Sequence, residues 1–158
     1  MLFRSQVTDD GGVANGGQNT DQSPNTITFN VTAVNDAPAN TLPATFATLE
    51  DTSVKLAGLS IADVDAASGT MTVTLSVSSG TLTATSGGSV TVGGSGTGSL
   101  TLTGTLADIN AFLAAAASQP SFVPATDANG AVTLTMTTND GGNTGSGGIG
   151  RASWRERA

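Results

Sequence analysis

Asp63 and Asp65 stand two residues apart in Ile61-Ala62-Asp63-Val64-Asp65, directly after the apolar run Ser53–Ile61. Two carboxylates in a loop after a strand can turn toward one cation if the backbone bends. A hard divalent ion such as calcium takes six to eight oxygens at ~2.4 Å from carboxylates, carbonyls and water. Asn35-Asp36 adds two oxygen-bearing side chains where the alternating stretch Thr26–Val34 runs out toward Pro38. Asp140 opens the turn Asp140-Gly141-Gly142. Plainer readings fit the same residues: a solvated Asx turn at Asp63 and Asp65, a hairpin turn at Asp140. Spacing leaves both open.

Composition narrows the chemistry further. The chain has no Cys, His or Tyr, which excludes thiolate catalysis, imidazole general-base chemistry and the usual zinc and copper sites. No pair of carboxylates has a neighbour that would raise one pKa, so glycoside hydrolysis has no support. Gly93-Gly94-Ser95-Gly96-Thr97-Gly98 is glycine-rich, but no Lys or helix start follows it, so it is not a phosphate loop. No enzyme is expected. The net charge is −7, and between Ser5 and Gly148 Lys55 is the only base against 11 acids. Such a surface repels phosphate, so neither nucleic acid nor an anionic membrane surface is an expected partner. No apolar run approaches the ~20 residues of a membrane span.

The elements that must carry these residues read as β-strands. Ile27, Phe29, Val31 and Ala33 alternate with polar residues over Thr26–Val34, as in a half-buried strand. Thr70–Ser78 carries Met71, Val73, Leu75 and Val77 on one face. Further strands are expected at Thr45–Leu49, Ser53–Ile61 with a bulge near Gly58, Thr81–Thr85, Ser89–Val92, Ser99–Thr103, Ser121–Val123 and Ala131–Thr137. One stretch differs: Leu106, Ile109, Leu113 and Ala117 are spaced for a helix face, and Thr105 is a suitable N-cap. The expectation is an all-β Greek-key sandwich with one short crossover helix at about 106–117. A β-solenoid is the alternative, though no repeat of ~20 residues is visible.

The chain repeats itself. Thr8-Asp9-Asp10-Gly11-Gly12 returns as Thr138-Asn139-Asp140-Gly141-Gly142, 130 positions later. Residues 1–34 therefore read as the tail of one repeat, and 35–148 as a second repeat lacking its final strand. Met1 is followed directly by repeat-like sequence, as an internal methionine of a longer chain would be. Thr26–Val34 is the counterpart of the missing strand. It is expected to pair within its own unit rather than in the second sandwich, which leaves an open edge beside the last strand. Residues 149–158, Ile-Gly-Arg-Ala-Ser-Trp-Arg-Glu-Arg-Ala, do not fit the repeat. They resemble a translated sequencing adapter, with Trp154 and Ala158 in place of a Cys and a Val, and are expected to be a non-native tail.

Five short motifs occur in order within one period: Leu49-Glu50-Asp51-Thr52, Ile61-Ala62-Asp63-Val64-Asp65, Gly104-Thr105-Leu106-Ala107-Asp108-Ile109-Asn110, Thr138-Asn139-Asp140-Gly141-Gly142 and, from the preceding copy, Val34-Asn35-Asp36-Ala37-Pro38. The set resembles the bacterial cadherin-like tandem repeats of giant secreted adhesins, many with RTX-type export signals. The resemblance covers almost all of Phe3–Gly148. It implies an immunoglobulin-like or cadherin-like sandwich, a secreted or cell-surface location, and Ca²⁺ at the seam between repeats. The residues matching the seam ligands are Asn35, Asp36, Asp63, Asp65 and Asp140. Glu50 matches an early glutamate that would serve the opposite pole. Ala33 and Ala37 depart from the cadherin linker pattern. The implied role is a structural and adhesive spacer, its partners the neighbouring repeats and, through other domains, a host or biofilm surface. The alternative is a carbohydrate- or protein-binding β-sandwich module, which the shortage of aromatic side chains disfavours for glycans.

Overall fold

The computed structural model describes residues 2–23, 25–142 and 149–155. They fall into two compact units, Met1–Ala33 and Val34–Ala158.

The first unit is a two-stranded ribbon. β1 (Leu2–Ser5) pairs antiparallel with β2 (Asn25–Thr28), Leu2 opposite Thr28 and Ser5 opposite Asn25. Thr8 bridges Thr20, and the Asp9 N–H donates to the Asn19 carbonyl at 2.8 Å. The expected strand Thr26–Val34 is thus shorter, and its apolar residues are not half-buried: Ile27 and Phe29 are 62% and 55% exposed. A two-stranded ribbon has no second layer to cover an apolar face. The alternation is present, but the surface that would bury it is not in this unit.

The second unit is an all-β sandwich. In chain order its elements are β3 (Ala39–Thr41), β4 (Val54–Lys55), β5 (Ser60–Ala62), β6 (Thr70–Val77), β7 (Thr81–Thr83), β8 (Thr91–Gly93), β9 (Ser99–Thr105), α1 (Leu106–Ala114), β10 (Ser121–Val123), β11 (Thr133–Asn139) and β12 (Ile149–Arg155). One antiparallel sheet has the order β12-β11-β6-β9-β8, and a smaller one β4-β10-β7; β3 pairs with β5 separately. Alternation along the large sheet points Met71, Val73, Leu75, Leu100, Leu102, Leu134 and Met136 inward, where they meet Leu56, Leu82 and Phe122. Their intervening neighbours are mainly Thr and Ser, the half-buried outer face of an antiparallel sheet.

α1 carries the chain from β9 in the large sheet to β10 in the small one, so it is the expected crossover helix. It ends at Ala114 rather than near Ala117. Thr105 caps it, as expected: its Oγ1 accepts from the Asp108 N–H at 3.2 Å and donates to Asp108 Oδ2 at 2.7 Å. Ile109, Phe112 and Leu113 pack into the core.

Other boundaries moved for identifiable reasons. Thr45–Leu49 is not a strand, although Phe46 still packs against the core. Ser53–Ile61 is split into β4 and β5 by a turn in which Gly58 takes φ +80, a backbone region that side chains with a Cβ disfavour. The edge expected to stand open beside β11 is taken by β12, with Thr133 opposite Arg155 and Asn139 opposite Ile149.

Candidate metal centre

β5, β6 and β11 deliver the acids to one end of the sandwich. β5 ends at Ala62 and the chain turns through Asp63-Val64-Asp65 before β6 begins. The Asp63 Oδ1 accepts from the Asp65 and Ala66 N–H groups, both at 3.1 Å. The Asx turn and the cation geometry are therefore the same structure: the turn is the bend that aims both carboxylates. Asp140 follows β11 directly, opposite the start of β6. Its Oδ1 accepts from the Gly142 N–H at 2.9 Å, and the residue is fully buried.

The seam closes over these acids. Asn35 Nδ2 donates to Asp140 Oδ2 at 2.7 Å and to the Asp36 carbonyl at 3.0 Å. The Asp36 N–H donates to Asp65 Oδ2 at 2.9 Å. All five residues expected from the sequence thus meet at one pole. Asp36 takes part through its backbone, and its side chain is exposed. Asp63, Asp65 and Asp140 each bring one carboxylate oxygen within 4.8 Å of the other two. Two oxygens on opposite sides of an ion bound at ~2.4 Å are separated by about that distance.

Such convergence has an electrostatic cost. Two unit charges near 5 Å repel by roughly 3 kcal/mol at an effective dielectric of about 20, against a total stability of about 5–15 kcal/mol for a domain. Against the sequence expectation that no carboxylate pair has a raised member, burial pushes the Asp63 carboxyl above its ordinary value, and the adjacent Asp65 adds to the rise; the backbone N–H groups of Asp65 and Ala66 oppose it. Two acceptors remain unmatched. Asn35 Oδ1 and Asp63 Oδ2 are buried with no hydrogen-bond partner among the described residues. An orphaned buried oxygen costs about 1–3 kcal/mol. A cation removes both costs, and an all-oxygen set suits a hard one. The cluster could therefore hold a metal ion.

Glu50 stands apart from this cluster. It is exposed and lines a groove with Thr48, Leu49, Ser79 and Asn129, beyond the ends of β6 and β10 and just before β11. Among the described residues no group of three acids gathers around it.

Three positioning residues escaped the sequence reading. Asn110 on α1 clamps β5: its Oδ1 accepts from the Ile61 N–H and its Nδ2 donates to the Ile61 carbonyl, both at 2.9 Å. That bond pair fixes the strand from which Asp63 departs. Asn40 and Thr138 tie the seam to β11, Thr138 Oγ1 donating to Asn40 Oδ1 at 2.6 Å. Asn110 and Thr138 each lie within one of the five motifs, so a signal for both is present. Asn40 gave none.

No protein-family model, curated protein or solved structure matches the chain.

Proposed function

We propose that this chain comes from a tandem-repeat spacer of a large secreted or cell-surface bacterial adhesin, of the cadherin-like kind, whose repeats bind calcium at their seams. The pairing of buried, unpartnered Asn35 Oδ1 and Asp63 Oδ2 with three converging carboxylates carries the calcium part of this reading. Asn35, Asp63, Asp65 and Asp140 supply side-chain oxygens, and the Asp36 backbone N–H holds the Asp65 carboxylate in place. Calcium is favoured over magnesium because it accepts crowded, irregular oxygen shells that include side-chain amides, while magnesium keeps several of its waters. Bound there, the ion neutralises the cluster and fastens residues 35–36 to the sandwich. A chain of such units then holds a fixed length, the requirement for carrying a binding tip away from a cell.

The test is calorimetric titration of the full chain with CaCl₂, alongside scattering measurements of its length. Heat of binding and a longer, narrower length distribution are the expected results. No heat at millimolar calcium removes the metal role; heat without a change in length removes the stiffening role.

A further inference from the structure

Two Asn-Gly steps occur in the sequence, Asn15-Gly16 and Asn129-Gly130. An asparagine followed by glycine is prone to lose its amide, because nothing on the next residue hinders its backbone nitrogen from reaching the side-chain carbon. Whether it does depends on what holds the loop. Around Asn129 the hydrogen bonds stop short on both sides. The Ala128 N–H is tied to the Ala125 carbonyl at 3.1 Å, and regular pairing resumes only at Thr133, whose N–H donates to Ser78 Oγ at 3.0 Å. Among the described residues no hydrogen bond engages the Asn129 side chain or the Gly130 N–H. Both residues are exposed, Gly130 takes φ +95, and nothing lies within 4 Å of where a Cβ would stand.

The comparable steps differ in what closes around them. Asn15 is also exposed, and Gly16 takes φ +83 with nothing within 4 Å of a Cβ, but this step lies inside a tight turn (Asn15 φ 57, ψ 30) closed by the Gly17 N–H on the Ala14 carbonyl at 3.1 Å. At Asp140-Gly141, where the same cyclisation is open to an aspartate, the Gly141 N–H is committed to Asn139 Oδ1 at 2.8 Å and the side chain is buried.

We infer that Asn129-Gly130 is a self-modification site, which converts a neutral amide into a carboxylate on the groove that Glu50 lines. The deprotonated Gly130 nitrogen attacks Asn129 Cγ. A C–N bond forms, the Cγ–Nδ2 bond breaks, and ammonia leaves with the proton, giving a five-membered imide. Water then opens the imide at one of its two carbonyls, yielding aspartate or isoaspartate. One water is consumed, one ammonia is released, and nothing is oxidised or reduced. Among the described residues that line the groove, Glu50 alone is charged, so the product gives the groove a second negative charge. The isoaspartate form also adds one carbon to the backbone between β10 and β11.

The experiment ages the full folded chain at neutral and mildly alkaline pH in heavy-oxygen water, then digests it for mass mapping. The expected result is gain of mass with one heavy oxygen at Asn129, faster at higher pH and faster than at Asn15, while Asn35, Asn40 and Asn110 keep their amides. Asn129→Gln should abolish the gain in that peptide with an unchanged circular dichroism spectrum. An Asn129 that stays intact in the folded chain but reacts in urea overturns the inference, because the loop would then protect it. Equal rates at Asn35, Asn40 and Asn110 overturn it too, as does a gain that survives Asn129→Gln.

Discussion

The two Asp-Gly-Gly turns of this chain share one hydrogen bond and the conformation of their second glycine, differ at the first glycine (φ +71 at Gly141 only), and are placed differently. In Thr8–Gly12 the Gly11 N–H donates to Asp9 Oδ1 at 2.9 Å; in Thr138–Gly142 the Gly141 N–H donates to Asn139 Oδ1 at 2.8 Å. The second glycine has φ +82 in one and +74 in the other. Yet Asp10 is exposed and Asp140 fully buried. The turn alone gives a solvated acid. What turns Asp140 into a candidate ligand is the cover: Asn35 at 2.7 Å, and Asp63 and Asp65 across the pole.

That contrast can be attacked directly. Asp140→Asn removes the buried charge and should abolish calcium binding in a calorimeter, whereas Asp10→Asn should leave it untouched; equal losses would mean that the turn, not its cover, makes the site. In the parent chain, calcium at 100 times its dissociation constant should add about 2.7 kcal/mol, a rise of roughly 10 °C in melting temperature that EDTA reverses. Asn110→Ala leaves every candidate ligand in place but frees β5. It should weaken calcium binding by about tenfold or more and cost about 1–3 kcal/mol of stability through the unpaired Ile61 backbone. A smaller effect concerns acid. The Asp63 pKa is raised above 3.8 in the folded chain, so the native state holds a proton that the unfolded chain has released. In EDTA, stability contributed by this group should therefore fall as pH climbs from 3.8 through the raised value; urea unfolding across that window measures it, and a rise would refute the burial argument. Smallest of all, Asp10→Asn should change stability by less than about 0.5 kcal/mol, as at other exposed positions.

Much of this arrangement was legible in the residues. Alternating Met71, Val73 and Leu75 marks β6, and Ser121–Val123 is a strand at the expected bounds. The order of short motifs groups five oxygen-bearing residues: the carboxylates of Asp63, Asp65 and Asp140 converge, the Asn35 amide bonds to Asp140, and Asp36 joins only through its backbone. Burial governed what was misread. Ile27, Phe29 and Val31 alternate as a core strand does but stay exposed. β3, only Ala39-Asn40-Thr41, has no apolar period; its place follows from pairing with β5 and from the Asn40–Thr138 bond, neither of which leaves a local trace. β12 likewise lacks an apolar alternation, and its position follows from backbone pairing with β11.

The seam's fastenings carry a mechanical consequence. Asn35 to Asp140, Asp36 to Asp65 and Asn40 to Thr138 all lie within six residues of the unit's first residue. Tension entering the sandwich at Val34 meets these three polar anchors before it reaches any buried leucine. Together with the pairing of β3 to β5, they fasten the entry of the chain apart from the apolar core. A stretched chain should therefore give a small early rip as these fastenings part, ahead of the main rupture of the sandwich.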